Sequence, residues 1–259
     1  MIFFYFNFKI NLNIPLIIIY NMSSNSSNQQ SLVKRLVKDV KDILKNPLTD
    51  NGIIYSHDQD NMLKGYAIIF GPKGTIYENG VYLFEFNFPD TYPFKPPKLT
   101  YLTNNGKTPF NPNLYRNGKV CVSVLNTWRG PGWTSCMTIR TVLVTLVTLF
   151  HNKPLLNEPG ITEKHHAFNS YNKIIEYRNY DTAIRNVMLK KIDYKKFKHL
   201  WPIIKKHFET NKKNIFDKID ILIKENPKTK EYNAGIYSMS CTVDYKYIKK
   251  QLIDAFKEL

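Results

Sequence analysis

Four short apolar segments follow one another closely between residues 53 and 103, at about 53–57, 63–70, 81–88 and 98–103. Turn material separates them, including GPKG at 71–74 and ENG at 78–80. Segments of this length, rich in Ile, Tyr and Phe and bounded by Gly, Pro and Asn, read as β-strands. Parallel neighbours need crossover connections of about a dozen residues or more, and the intervals here are too short for that. The spacing therefore predicts a four-stranded antiparallel meander. A meander needs helices to bury its face, which places the chain in the α+β class.

The flanking sequence supplies such helices. Ser31 is a candidate cap. Leu32, Leu36, Val40 and Ile43/Leu44 then recur at helical spacing, while Lys34, Lys38, Lys41, Asp42 and Lys45 take another face. Pro47 and Gly52 end this helix. Residues 137–150, MTIRTVLVTLVTLF, are apolar nearly all round, and their length favours a buried helix over a strand. From about 165 onward the pattern is mostly helical, with breaks near Pro202 and near 226–241. The chain thus divides into a leader or disordered extension at 1–30, a core domain at 31–189 and a basic helical extension at 190–259.

Residues 1–20 are rich in Phe, Ile and Tyr, but Asn7, Lys9, Asn11, Asn13 and Pro15 interrupt them. A spanning helix wants about 20 mostly apolar residues. The alternation of Phe6, Phe8, Ile10, Leu12 and Ile14 with polar residues is instead strand-like. The favoured reading is a dispensable leader, with translation starting at Met22. A membrane contact through residues 1–20 stays open but is not favoured.

The formal net charge is +16, from 37 Lys+Arg against 21 Asp+Glu. Half of it falls in residues 190–259, which hold 17 Lys and 9 acidic residues. Such a charge raises a basic nucleic-acid-binding protein as one reading. Lys, Asn and Ile are all abundant, however, and all three have AT-rich codons, so part of the excess reflects an AT-rich genome such as a protist's or a large DNA virus's. Three cysteines, Cys121, Cys136 and Cys241, form no disulfide framework and no CxxC pair. They point to a reducing compartment: cytoplasm or nucleus, or the host cytoplasm for a viral chain.

Residues 89–131 contain seven prolines and read as irregular. Loops this long in a compact domain are usually functional. Cys121 lies near their end, after the run NPNLYRNGKV. A thiol is a strong nucleophile and thioesters are reactive acyl carriers. None of the six histidines stands in a triad-like motif beside it, and from its neighbours alone an inert buried cysteine is the plainer reading.

The wider context changes that. IIFGPKGTIYENGVYLFEFNFPDTYPFKPPK at 68–98, NPN at 111–113, GKVC at 118–121 and Trp133 occur in the order and spacing of the ubiquitin-conjugating enzymes, which the chain resembles. The eight positions from Asn113 to Cys121 agree as well. Asn111 opening the NPN motif, the longer run VSVLNTWRGPGW after Cys121, and Asn157-Glu158-Pro159-Gly160 are similar to the large class that includes the Z-type enzymes and the giant conjugating-ligase hybrids. Asp244-Tyr245 matches the end of the Z-type tail.

The resemblance implies a UBC-like fold and a set of roles. Cys121 would accept ubiquitin or a related modifier from an activating enzyme as a thioester, then pass it to a ligase cysteine or a substrate lysine. Asn113 would donate to the oxyanion or support the surrounding loop. Asn157 and Glu158 would stand at a gate, where an attacking amine needs polar company. Lys34, Arg35, Lys38 and Lys41 would dock the activating enzyme, and Phe94 and Trp133 a ligase. Thr134-Ser135-Cys136 departs from the family's Ser-Pro-Ala after the loop Trp. The acyl group arrives already activated, so the resemblance implies no metal and no organic cofactor. A catalytically inert ubiquitin-binding adaptor on the same fold is the alternative within it.

Overall fold

The computed structural model describes residues 27–259; the expectations for residues 1–20 lie outside them. The first helix, α1 (Ser27–Lys45), buries Leu32, Leu36, Val40 and Ile43 and leaves Lys34, Lys38 and Lys41 exposed. It begins a turn before Ser31, so that serine lies inside the helix rather than capping it. A turn at Thr49–Asn51 ends on Gly52 at φ +71°, a left-handed conformation that glycine adopts without steric cost.

Four strands follow: β1 (Ile53–His57), β2 (Lys64–Phe70), β3 (Val81–Asn87) and β4 (Lys98–Tyr101). They pair antiparallel in sequence order, with Ala67 opposite Phe84 and Phe84 opposite Tyr101. The expected meander is therefore present, and β4 stops two residues short of its expected end. Residues alternate between faces along each strand. One face carries Tyr55, Ala67, Ile69, Tyr82, Phe84, Phe86 and Tyr101. Its aromatics meet Phe110 and Phe150 from the loops beyond, with Tyr82–Phe150 centroids at 4.5 Å and Tyr101–Phe110 at 6.3 Å.

The opposite face carries Ser56, Tyr66, Ile68, Phe70, Leu83 and Glu85, and it is not left to solvent. The chain after α2 (Ile139–Val147), α3 (Phe168–Arg178) and a π-helical stretch at Asn179–Asn186 crosses it as α4 (Tyr194–Phe197) and α5 (Trp201–Glu225). Phe197 and His199 pack on Tyr66, and the His207 ring stacks on Phe70 at 4.1 Å. Lys196 pairs with Glu85 at 2.7 Å, and Lys218 pairs with Glu78. Asn79 donates to Asn214 at 2.8 Å. The basic extension is thus the cover of the sheet.

Both expected breaks in this region are present, and the second holds strands that the sequence reading did not anticipate. The first falls at the turn Lys198–Leu200, and Pro202 sits just after it in the first turn of α5, where its missing N–H costs nothing. Residues 226–241, read as a helix break, contain most of a hairpin of β5 (Lys230–Asn233) and β6 (Ser240–Val243). Asp244 then caps α6 (Tyr245–Glu258) by accepting from the Tyr247 N–H at 2.8 Å. That hydrogen bond lowers the Asp244 pKa. Residues 137–150 are helical only over α2, and Val144 is exposed.

The joint between sheet and helices is polar. Asn179 is buried; its Oδ1 accepts from the Tyr82 hydroxyl at 2.7 Å and its Nδ2 donates to the Glu78 carbonyl at 2.9 Å. A Cβ on Gly80 would lie 2.1 Å from that Oδ1. Asn179→Ala orphans two buried groups at once and should lower the unfolding free energy by about 2–4 kcal/mol. Urea denaturation followed by circular dichroism measures this as a lower midpoint at unchanged slope.

Candidate active site

The chain from β4 to α2 builds the site almost without ladders, so side chains must satisfy its buried backbone groups. Asn111 is wholly buried. Its Oδ1 accepts from the Asn113 N–H at 2.9 Å and from Asn157 Nδ2 at 3.2 Å, while its Nδ2 donates to the Leu149 carbonyl at 2.9 Å. One amide therefore binds the NPN turn to the end of the α2 region and to the turn Pro154–Asn157.

Asn113 and Cys121 are clasped in both directions. The Cys121 N–H donates to the Asn113 carbonyl at 2.9 Å, and Asn113 Nδ2 donates to the Cys121 carbonyl at 2.6 Å. Asn113 Oδ1 is buried without a partner, so its nitrogen end alone anchors the amide. Gly118 closes the loop between them at φ +85°, its carbonyl accepting from the Tyr101 N–H at 2.8 Å. A Cβ there would meet the Tyr101 carbonyl oxygen at 2.8 Å, so only glycine fits.

Cys121 is a free thiol and its residue is 1% exposed. Tyr115, from the same loop, is partly exposed and lies close to it. Burial, then the Cys121 sulfur and the Glu158 carboxylate, push the Tyr115 phenol above its ordinary range. The other cysteines differ in setting. Cys136 is exposed, and Cys241 sits buried in β6, where burial raises its thiol pKa.

The two gate candidates stand in the turn that Asn111 holds. Asn157 Oδ1 accepts from His151 Nε2 at 3.0 Å. His151 Nδ1 accepts from the Lys153 N–H at 3.2 Å, which places the ring proton on Nε2. Asn157 is thus a strut between His151 and Asn111. Glu158 accepts from the hydroxyl of Tyr237, a residue of the C-terminal hairpin turn. Sequence reading missed Tyr237, His151 and Tyr115. The run NPNLYRN shows Tyr115 beside the motif, but nothing in the primary structure marks Tyr237.

The docking candidates separate. Lys34, Lys38 and Lys41 are exposed. Arg35 turns inward: it pairs with buried Asp39 at 2.9 Å and donates to the Ser135 carbonyl at 2.6 Å and to the Met137 carbonyl. It fastens α1 to the loop before α2, and its expected place on a docking face is corrected accordingly. Phe94 is 74% exposed, whereas Trp133 is buried. Trp133 Nε1 donates to the Pro93 carbonyl at 2.6 Å, and its ring packs on Tyr92 at 5.8 Å. Trp133 therefore anchors the base from which Phe94 projects, and offers little surface of its own.

A family model described as ubiquitin-conjugating enzyme matches residues 35–187, which span the meander, the NPN loop, Cys121 and the Asn157-Glu158 turn. The chain belongs to the ubiquitin-conjugating enzyme family. It is similar to ubiquitin-conjugating enzyme E2 Z of Danio rerio, 36% identical over 187 residues, covering 71% of this chain and 56% of that protein. The E2 Z of Homo sapiens is 39% identical over 157 residues, covering 60% of this chain and 44% of that protein. The E2 of African swine fever virus is 29% identical over 165 residues, covering 61% and 71%. The chain spans about half the length of the E2 Z relatives it matches. All of α4, α5, the C-terminal hairpin and α6 lie beyond the family match.

Arg35→Ala strips partners from the buried Asp39 carboxylate and from two carbonyls, and should cost about 2–4 kcal/mol of stability. Lys38→Ala, on the exposed face, should stay within about 0.5 kcal/mol. Paired chemical denaturation curves measure the difference.

Proposed function

We propose that this chain is an active ubiquitin-conjugating enzyme that carries ubiquitin, or a related modifier, as a thioester on Cys121. The observation that supports this most directly is the cysteine's setting: a free thiol inside the family match, its backbone clasped to Asn113 on both sides.

In the first step the Cys121 sulfur, as thiolate, attacks the thioester carbonyl presented by the activating enzyme. A new C–S bond forms, the old one breaks, and the activating enzyme's sulfur leaves with the electron pair. The exchange consumes no oxidant and no further ATP. In the second step a ligase thiolate or a substrate amine attacks the same carbon and Cys121 leaves. Asn113 has a second N–H on its amide nitrogen beyond the one used in the clasp. Offered to the developing oxyanion, a donor of this kind is worth about 3–4 kcal/mol.

Glu158 is the carboxylate that receives the proton of an attacking amine, while Asn157, His151 and Asn111 hold its turn in place. Lys34, Lys38 and Lys41 form the docking face for the activating enzyme, and Phe94 the exposed apolar contact for a ligase. The enzyme works in the cytoplasm or nucleus and needs no cofactor of its own, because the activating enzyme uses the ATP upstream.

Incubation with activating enzyme, ATP and ubiquitin should give an adduct that thiol reductants remove. Cys121→Ser should convert it to an ester that resists thiols but yields to alkali, and Cys121→Ala should abolish it. A thiol-labile adduct that persists in Cys121→Ala would refute the assignment.

A further inference from the structure

The C-terminal hairpin turn, beyond the family match, reaches into the site. Ala234 and Met239 are buried at its base and joined by an N–H to carbonyl bond of 2.9 Å. At Gly235 the backbone passes so close to His166 that an added Cβ would lie 3.1 Å from the His166 Nε2. Tyr237 then packs its ring edge-on against Tyr171, with centroids 6.1 Å apart. Its hydroxyl ends on Glu158 Oε2. Tyr171 is itself fixed by donating to the Pro109 carbonyl at 3.0 Å, two residues before the NPN motif.

The turn carries strain to make this contact. Tyr237 has φ +56° and Ser238 φ +46°, both left-handed. A residue with a Cβ pays about 1–2 kcal/mol to stand there. A bulky tyrosine in that region persists only where its surroundings hold it.

We propose that Tyr237 is a positioning residue for transfer to lysine: its hydroxyl holds Glu158 Oε2, leaving Oε1 to face the amine that attacks the thioester on Cys121. This rests on the thioester reading above. Hydrogen bonds from Asn157 through Asn111 to Asn113 and Cys121 tie the Glu158 turn to the cysteine. As the amine nitrogen bonds to the thioester carbon, the C–S bond breaks with its electron pair going to the Cys121 sulfur. The departing N–H proton passes to Oε1. A carboxylate clamped at one oxygen loses less freedom in doing so, which is the gain of positioning. Burial and the Glu158 contact push the Tyr237 phenol well above its ordinary range, so at neutral pH it serves as a donor.

The test uses the full chain, charged on Cys121 and then separated from activating enzyme and ATP. Discharge is followed with free lysine and with hydroxylamine, an amine that attacks unprotonated at neutral pH and needs little help from a base. Tyr237→Phe should charge at the wild-type rate. It should discharge to lysine about tenfold to 150-fold more slowly, the range expected for one hydrogen bond to a charged group. Hydroxylamine discharge should stay within about twofold of wild type. In a Glu158→Ala background, Tyr237→Phe should have no further effect, because the two residues act as one unit. Equal slowing toward both amines, or slowing that persists without Glu158, would overturn the proposal and leave Tyr237 a packing residue. A wild-type chain that takes up no modifier would overturn the thioester reading itself, a separate failure visible before any discharge is measured.

Discussion

Asn111 is the interaction on which the rest of the site depends. Between β4 and α2 the chain has few ladder hydrogen bonds, and the polar groups of its buried stretch at 108–114 must find partners elsewhere. One wholly buried side-chain amide meets the NPN backbone, the carbonyl of Leu149 and the side chain of Asn157. Three separate pieces of chain thereby converge around Cys121. The clasp between Asn113 and Cys121 then fixes the cysteine backbone to within one turn of that hub. The Asn111 amide is well suited to the place, with a donor group and a two-lone-pair acceptor on one rigid plane.

The second organising element is the extension. A lone four-stranded sheet with apolar residues on both faces needs two covers. Here the loop aromatics and helices supply one, and α4 with α5 the other. The lysine excess is partly explained by this role. Lys196 and Lys218 pair with Glu85 and Glu78 at the sheet, and Lys249 pairs with Asp220 between α6 and α5. The same segment, after crossing the sheet, returns through the hairpin to Glu158. The cover of the fold and the wall of the site are therefore one continuous stretch of chain.

Local signals made much of this legible. The meander followed from short strands with tight turns, and α1 from its apolar spacing. Cys121 and Asn113 stood out only through the resemblance of the 68–133 segment to the ubiquitin-conjugating enzymes, since the neighbours of Cys121 alone suggest an inert buried cysteine. The failures were of another kind. Arg35 looked like its lysine neighbours, and only the positions of Asp39, Ser135 and Met137 show that it turns inward. The near-unbroken apolar run of β2, GYAIIF, was a usable sign that both faces are covered, since one-sided strands alternate. The hairpin was hidden because Lys230–Asn233 and Ser240–Val243 are short and mostly polar. Tyr237 meets Glu158 across 79 residues from an irregular turn, where no periodicity operates.

The central claim is that one cysteine, held by the Asn111 and Asn113 network, is the acyl carrier. Peptide mapping of the charged wild-type chain under non-reducing, mildly acidic conditions tests it most directly. The account predicts the modifier's C-terminal remnant on Cys121 alone, at one per chain. Modifier carried instead on Cys136, on Cys241 or on a lysine, with Cys121 free, would contradict it.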